Sequence, residues 1–410
     1  MAFTTVTGSD GITSLVGTTG IDIATIVTLS DNVFVGGNTG DDVVTTALGT
    51  GGNNLSGYSV RMGGGDDTFT LGDTLLNSFV SLDGETIAND GNDTFTGAGN
   101  LIIGSEVVGR GGNDQFTNLA LSGSTVNGNS GDDTITIGAS SASTVYGGQG
   151  TDTISTAANT ASLLISANKG SDGITLGAFG FASGSVYGGN GNDTIDANAV
   201  TDAAGAALGV TAAGVLLSGD LGNDAITGST GIDTINGGDG TDTILAGTGA
   251  DVVNGGADAD AITGNAGADV LTGGTGNDRF ILAALTDATL TSATSNTGFD
   301  TITDFTANTG PVAATINGDR IQLGGAVGTI GGASSRVGTT SLAADLAAEV
   351  TFAGAVRDVD LVTITGPVAW AGNYLVVNGA ADNTFDFAAD AVIKLNTLAG
   401  LDDAAAFNLA

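Results

Sequence analysis

Seven aspartates recur at every ninth position without a slip: Asp224, Asp233, Asp242, Asp251, Asp260, Asp269 and Asp278. Each stands sixth in a nonapeptide; from Gly219 to Ile281 these read GDLGNDAIT, GSTGIDTIN, GGDGTDTIL, AGTGADVVN, GGADADAIT, GNAGADVLT and GGTGNDRFI. A short carboxylate in a glycine-rich turn offers hard oxygen ligands beside backbone carbonyls. Rows of like charge in a partly dehydrated turn oppose folding, and a divalent cation between successive turns reverses that sign. Oxygen-only ligation in soft geometry favours calcium over zinc or copper and suits magnesium's strict octahedron less well. Binding free energy then becomes folding free energy.

The same turn appears upstream at wider spacing, around Asp42, Asp67, Asp93, Asp114, Asp133, Asp152, Asp172 and Asp193. The steps between these aspartates are uneven, and each is longer than two nonapeptides. A weaker version places Asp22 one such step before Asp42, with Asp10 as a possible cap. These sixteen aspartates, from Asp22 to Asp278, are the candidate ligands, for calcium ions numbering about ten or more if each sits between a stacked pair. Three registers depart from the pattern: Ala246 replaces a first-position glycine, Asp258 a fourth-position one, and Lys169 and Gly173 flank Asp172.

Other chemistries lose ground on composition. The 410 residues include no histidine and no cysteine, which removes an imidazole base, a thiol nucleophile, a disulfide and the ordinary zinc or haem ligands. There is no HExxH helix and no GxSxG elbow. Paired acids such as Asp41/Asp42, Asp66/Asp67 and Asp132/Asp133 resemble a glycosidase pair, but their recurrence at every turn assigns them to structure. An enzyme is therefore not expected. Eight basic residues against 44 acidic ones give a net charge of -36, which repels a phosphate backbone and excludes nucleic acid as a partner. No apolar run reaches the length of a transmembrane helix. The opening MAFTTVTGSDG has neither a basic n-region nor an apolar h-region, so export would use a route other than a classical N-terminal signal peptide.

The elements that must position these carboxylates follow from the eighth position of each nonapeptide, which is Ile226, Ile235, Ile244, Val253, Ile262, Leu271 and Phe280. A six-residue turn followed by a three-residue strand sends that side chain inward. Two units make one coil, so the aspartate of one repeat lies above that of the next repeat but one, giving two rows along two edges. Upstream, one motif serves each coil. Segments such as Ser124-Thr125-Val126, Ser143-Thr144-Val145 and Val215-Leu216-Leu217 read as return strands, reached through a loop such as 138–143. One edge would then carry ion sites throughout, and the second only after about Gly219.

The regular register resembles the RTX family of calcium-binding repeat proteins. That resemblance implies a right-handed parallel β-roll or β-solenoid, all-β, with calcium held by the sixth-position carboxylates and turn carbonyls. It also implies uncleaved type I secretion and folding outside the cell. The organisation expected is an irregular solenoid over 1–218, a regular calcium roll over 219–285, capping strands over 286–330 and a small β-rich assembly and secretion module over 331–410. Within these, Phe299-Asp300-Thr301-Ile302-Thr303-Asp304-Phe305 and Gly318 to Leu323 read as a capping hairpin or short strands, 324–335 as a flexible joint and 342–350 as a short helix. The last stretch, with Tyr374 to Val377 and Val392 to Leu395, is similar to C-terminal modules of type I-secreted bacterial surface-layer proteins, cyanobacterial ones above all; Phe407 and Leu409 either serve export or pack.

With the scaffold forming nearly the whole chain, the expected function is structural: a calcium-stabilised, self-assembling surface-layer or filament protein at the cell exterior. Its partner is itself, with a cell-surface glycan or lipopolysaccharide as a second. The alternative is an adhesin or an ice-binding solenoid, for which the pairs Thr68/Thr70, Thr94/Thr96 and Thr134/Thr136 speak and the breaks at Gln115 and Thr153/Ser155 speak against.

Overall fold

The structure is a computed structural model that describes residues 4–7, 13–16, 18–26, 33–36, 39–46, 55–83, 91–157, 160–177, 184–200, 213–282, 300–304, 320–323, 330–337, 359–365, 371–377 and 391–395. Among them no helix is long and apolar enough to cross a membrane. The expectations for Asp10, for a helix over 342–350 and for Phe407 and Leu409 lie outside the described residues. The chain divides into two compact units, Met1–Ala204 and Gly205–Ala410.

Unit 1 is a parallel β-solenoid whose coils vary in length, from the long step that pairs Phe69 with Phe95 to the shorter one that pairs Thr134 with Thr153. Three columns of short strands run through it. The first includes Val43–Thr46, Thr68–Thr70, Thr94–Thr96, Thr153–Thr156, Gly173–Thr175 and Thr194–Asp196. The third includes Ser59–Arg61, Phe79–Ser81, Glu106–Gly111, Thr125–Ser130 and Ser185–Asn190.

Between them lies a column where the sequence predicts loop. Leu75–Leu76 pairs with Leu101–Ile103, and these continue through Leu121↔Ser140 and Ser140↔Thr160. Residues 138–143 therefore belong to the strand Thr134–Gln149 rather than to a loop. The cause is coil length. A coil longer than two nonapeptides has room for a third short strand, and Leu75, Ile102 and Leu121 bury their side chains from it. A sharp corner ends this strand, with positive φ at Gly57, Asn77, Gly104, Gly123, Ala142 and Ser162. Alternation does the rest: Val44, Phe69, Phe95, Phe116, Ile135, Ile154, Ile174 and Ile195 stack inward, one per coil, and the Phe69 and Phe95 rings lie 5.1 Å apart and nearly parallel.

Unit 2 has the shorter coil of two nonapeptides, with two main strand columns and a short parallel pair, Thr248–Gly249 with Ala266–Gly267, beside them. Ala225–Thr227, Thr243–Leu245, Ala261–Thr263 and Arg279–Leu282 stack in parallel on one face. Ile232–Asp239, Val252–Ala257 and Val270–Thr275 stack on the other. The two capping strands do not form a hairpin. Asp300–Ile302 extends the second face and Arg320–Leu323 the first, each in parallel, so they act as one more coil. The segment expected as a flexible joint contains part of the strand Ile330–Val337. It pairs with Val359–Thr365, which runs antiparallel to Gly372–Val377, which runs antiparallel to Ala391–Leu395. That last strand returns to pair with Asp300–Ile302, covering the end of the roll. Tyr374, Leu375, Val376, Val377, Val392, Ile393 and Leu395 form the buried core of this module.

Candidate metal centre

All sixteen candidate aspartates are buried, none more than 3 % exposed. Parallel stacking produces this. Each Asp except Asp233, which lies inside the strand Ile232–Asp239, immediately precedes a strand, so its side chain folds back into the turn of its own coil. In unit 1 the backbone N–H of each aspartate donates to Oδ1 of the next along one unbroken column: Asp22 to Asp42, Asp42 to Asp67, Asp67 to Asp93, then Asp114, Asp133, Asp152, Asp172 and Asp193 in turn, at 2.6 to 2.9 Å. Unit 2 has two columns. Asp224, Asp242, Asp260 and Asp278 form one, and Asp233, Asp251 and Asp269 the other. The second is completed by Asp300, whose Oδ1 accepts from the Asp269 N–H at 3.1 Å. Spacing alone puts Asp300 in a cap, because it stands far outside the nonapeptide register; the triplet Asp300-Thr301-Ile302 repeats the Asp-x-apolar signal and could have found it.

The second carboxylate oxygen tells more. Oδ2 of Asp42, Asp67, Asp93, Asp133, Asp152, Asp172, Asp242, Asp251 and Asp260 is buried with no hydrogen-bond partner. A buried charged acceptor left unsatisfied is costly. Burial, the largest cause, pushes these groups above the usual carboxylate range, against the lowering effect of the preceding aspartate's N–H. Asp67 reaches about 8, Asp93 about 9, Asp133, Asp152, Asp251 and Asp260 about 7, and Asp242 about 6.

Two aspartates at the start of a column are served differently. Asp22 Oδ2 accepts from the Thr18 N–H and hydroxyl, which hold it below the usual range despite its burial. Asp233 accepts from the Ser229 N–H at 2.6 Å and from its hydroxyl, while burial still raises it.

The first-position residue explains why glycine recurs there. A Cβ built on Gly128 would run into Asp133 Oδ2 and lie 2.6 Å from the carbonyl oxygen of Gly147 in the next coil. The same pair of oxygens, one carboxylate and one carbonyl, converges above Gly109, Gly147, Gly219, Gly228, Gly237 and Gly255. Above Gly128, Gly147, Gly237 and Gly255 the carboxylate oxygen meets that carbonyl with no hydrogen-bond donor of its own, and a cation between coils would neutralise the pair. Among the described residues no three acidic side chains gather around one point, so such an ion takes only one or two carboxylates and completes its oxygen shell from turn carbonyls. The donor set fits calcium: all oxygen, soft in geometry, with charge already buried. Of the irregular registers, Asp172 keeps its place in the column while Lys169 is exposed, and exposed Asp258 takes the strained positive φ of 74° that a fourth-position glycine would relieve.

The opposite edge of unit 1, expected to carry only return strands, holds a serine column in the slot that aspartate fills elsewhere. The N–H groups of Tyr58, Ser78, Ser105 and Ser124 donate to the hydroxyls of Ser78, Ser105, Ser124 and Ser143 at 3.0 to 3.2 Å. Each hydroxyl donates in turn to a carbonyl two residues earlier, as from Ser105 to Ile103 at 2.8 Å. A neutral side chain that both accepts and donates closes the turn without an ion. The signal is present in the sequence, since Ser-x-Val at Ser78, Ser105, Ser124 and Ser143 has the register of Asp-x-Ile.

Residues 127–159, 185–202, 218–253 and 245–280 match the model of the RTX calcium-binding nonapeptide repeat, less than half of the chain. No curated protein matches it significantly. Repeats of this type are structural and non-catalytic, and they are typical of secreted and cell-surface proteins. The molecule is thus a parallel β-solenoid that carries RTX-type calcium-binding repeats in both of its units.

Proposed function

We propose that the chain is a calcium-stabilised structural solenoid of the cell exterior that assembles with copies of itself into a surface layer or filament. The observation that carries this reading is the set of orphaned, buried Oδ2 atoms aligned coil after coil, which makes the scaffold itself the cation binder. Calcium neutralises the columns, locks the coils, and lowers the repulsion that a net charge of -36 imposes between copies. The C-terminal strands belong to the same sheet as the last coil and give the assembly its module for docking or export. Electron microscopy of the purified chain tests this: ordered sheets or fibres in millimolar calcium and dispersed chains after chelation are expected, and assemblies that survive exhaustive chelation would refute it.

A second reading, attachment to an extended external surface such as ice, draws on the register of the first strand column. Thr45, Thr70, Thr96 and Thr117 align in one run, and Thr136, Ser155 and Thr175 in another. Thr117 and Thr96 hydroxyls lie 3.3 Å apart. The break at Gln115 therefore affects only one of two outward columns, but a register shift between Phe116 and Leu119 still separates the runs. Thermal hysteresis by the calcium-loaded chain would favour this reading over assembly.

A further inference from the structure

The first-position column of unit 1 is not uniform. Strand register aligns the residues following Arg61, Ser81, Val108, Asn127, Tyr146 and Ser166, which are Met62, Leu82, Gly109, Gly128, Gly147 and Ala167. The Met62 N–H donates to the Ser81 carbonyl and the Leu82 N–H to the Val108 carbonyl, so both residues hold the same backbone place as the glycines. Both side chains are fully buried. At Gly109 and Gly128 a single added carbon already collides with the carboxylate oxygen of Asp114 or Asp133. A thioether or an isobutyl group there occupies the space in which carboxylate and carbonyl oxygens would meet.

A second observation comes from the core. The first strand column of unit 1 places Phe69, Phe95 and Phe116 inward, all fully buried, where the later coils place Ile135, Ile154 and Ile174. Two of these three phenylalanines, Phe69 and Phe95, belong to the coils whose ion cradles are filled. Local polar support is present too: Arg110 Nε donates to Ser81 Oγ at 2.7 Å, and the Arg61 guanidinium lies over the Phe79 ring at 5.9 Å.

We propose that Met62 and Leu82 interrupt the ion column of unit 1, so that Asp67 and Asp93 bind no calcium and the coils over 58–121 are held by apolar packing instead. This rests on the reading that the other columns bind calcium, and it sets Asp67 and Asp93 apart from the other candidate ligands. The mechanism is exclusion. An ion needs first-position space as well as a carboxylate, and the side chains that deny it the space also supply the burial that replaces it. Ala167 is an intermediate case, for its carbonyl still converges with Asp152 Oδ2 above Gly147.

The test is a count of bound calcium by elemental analysis of the full chain and of four variants: Asp67→Asn, Asp93→Asn, Asp133→Asn and Asp152→Asn. Asparagine keeps the Oδ1 acceptor of the column and removes the charge. Unchanged counts for the first two and a loss of about one ion for each of the others are expected. A loss of one ion in Asp67→Asn or Asp93→Asn equal to that in Asp133→Asn would overturn the interruption while leaving calcium binding intact. A wild-type chain without calcium would instead remove the underlying reading. Hydrogen exchange in chelator gives an independent measure: amides over 58–121 should stay protected when those over 125–200 exchange, and simultaneous loss of both would count against the proposal.

Discussion

At the scale of single residues, the aspartates couple protons to metal. Carboxylates such as Asp133 and Asp152, both at about 7, hold protons in the metal-free fold that the unfolded chain releases near pH 4. Between these values the folded state binds more protons, so stability of the metal-free form falls as pH rises from about 4 toward 8. Asp22, whose value is lowered, acts in the opposite sense, its contribution being lost on acidification. The raised carboxylates far outnumber it, so the metal-free chain is expected to be more folded at pH 5 than at pH 8 by circular dichroism. Binding calcium near pH 7 should also release protons, seen as a calorimetric enthalpy that varies with the ionisation enthalpy of the buffer. Equal structure at both pH values, with no proton release, would mean that the columns are not desolvated as the structure has them.

At the scale of elements, two edges of unit 1 solve one problem in two ways. Both present a side-chain oxygen to the N–H of the preceding coil, but aspartate brings a second oxygen that stays orphaned and serine brings a proton that finds a carbonyl. Ser124→Ala removes the acceptor of the Ser105 N–H inside a buried corner and should cost about 1–3 kcal/mol. Because no ion is involved at that edge, the loss in urea unfolding should be the same at saturating and at half-saturating calcium. A loss that grows as calcium is withdrawn would tie the serine column to the metal after all. A comparable substitution appears at the end of the roll, where Asp304 accepts from the N–H groups of Gly273 and Gly274 at 2.9 and 2.7 Å.

For the whole molecule, stability is a sum over coils, each touching only its neighbours. The regular roll contributes one aliphatic or aromatic side chain per nonapeptide, such as Ile226, Ile244 or Phe280, against a backbone entropy of about 1–2 kcal/mol for each ordered residue. Nearest-neighbour coupling makes ion uptake cooperative, because an ion orders both coils that ligate it. Far-UV circular dichroism of the chelated chain titrated with calcium should rise steeply, with a Hill coefficient well above one. Monovalent salt at high concentration should restore little, since it screens the net charge of -36 without entering the buried carboxylate rows. Full recovery in concentrated monovalent salt would show that bulk repulsion, not ligation, keeps the chelated chain open.

The sequence by itself determined the period, the inward residues and the aspartate columns, because a repeat writes its own contacts: what neighbours one coil apart do at one level they do again at the next. It thereby carried the parallel solenoid, and Asp224 to Asp278 could be aligned before any coordinates. Only the tertiary structure decided what falls between repeats. The third strand column, with Leu75, Ile102 and Leu121, appears where coils outgrow a pair of nonapeptides. Asp300 joins its row across a long insertion, Ala391–Leu395 seals the last coil from far along the chain, and Met62 and Leu82 land on glycine positions that spacing alone did not align. These depend on which backbones pair across irregular lengths, and pairing of that kind is fixed by packing of the whole coil rather than by any local pattern.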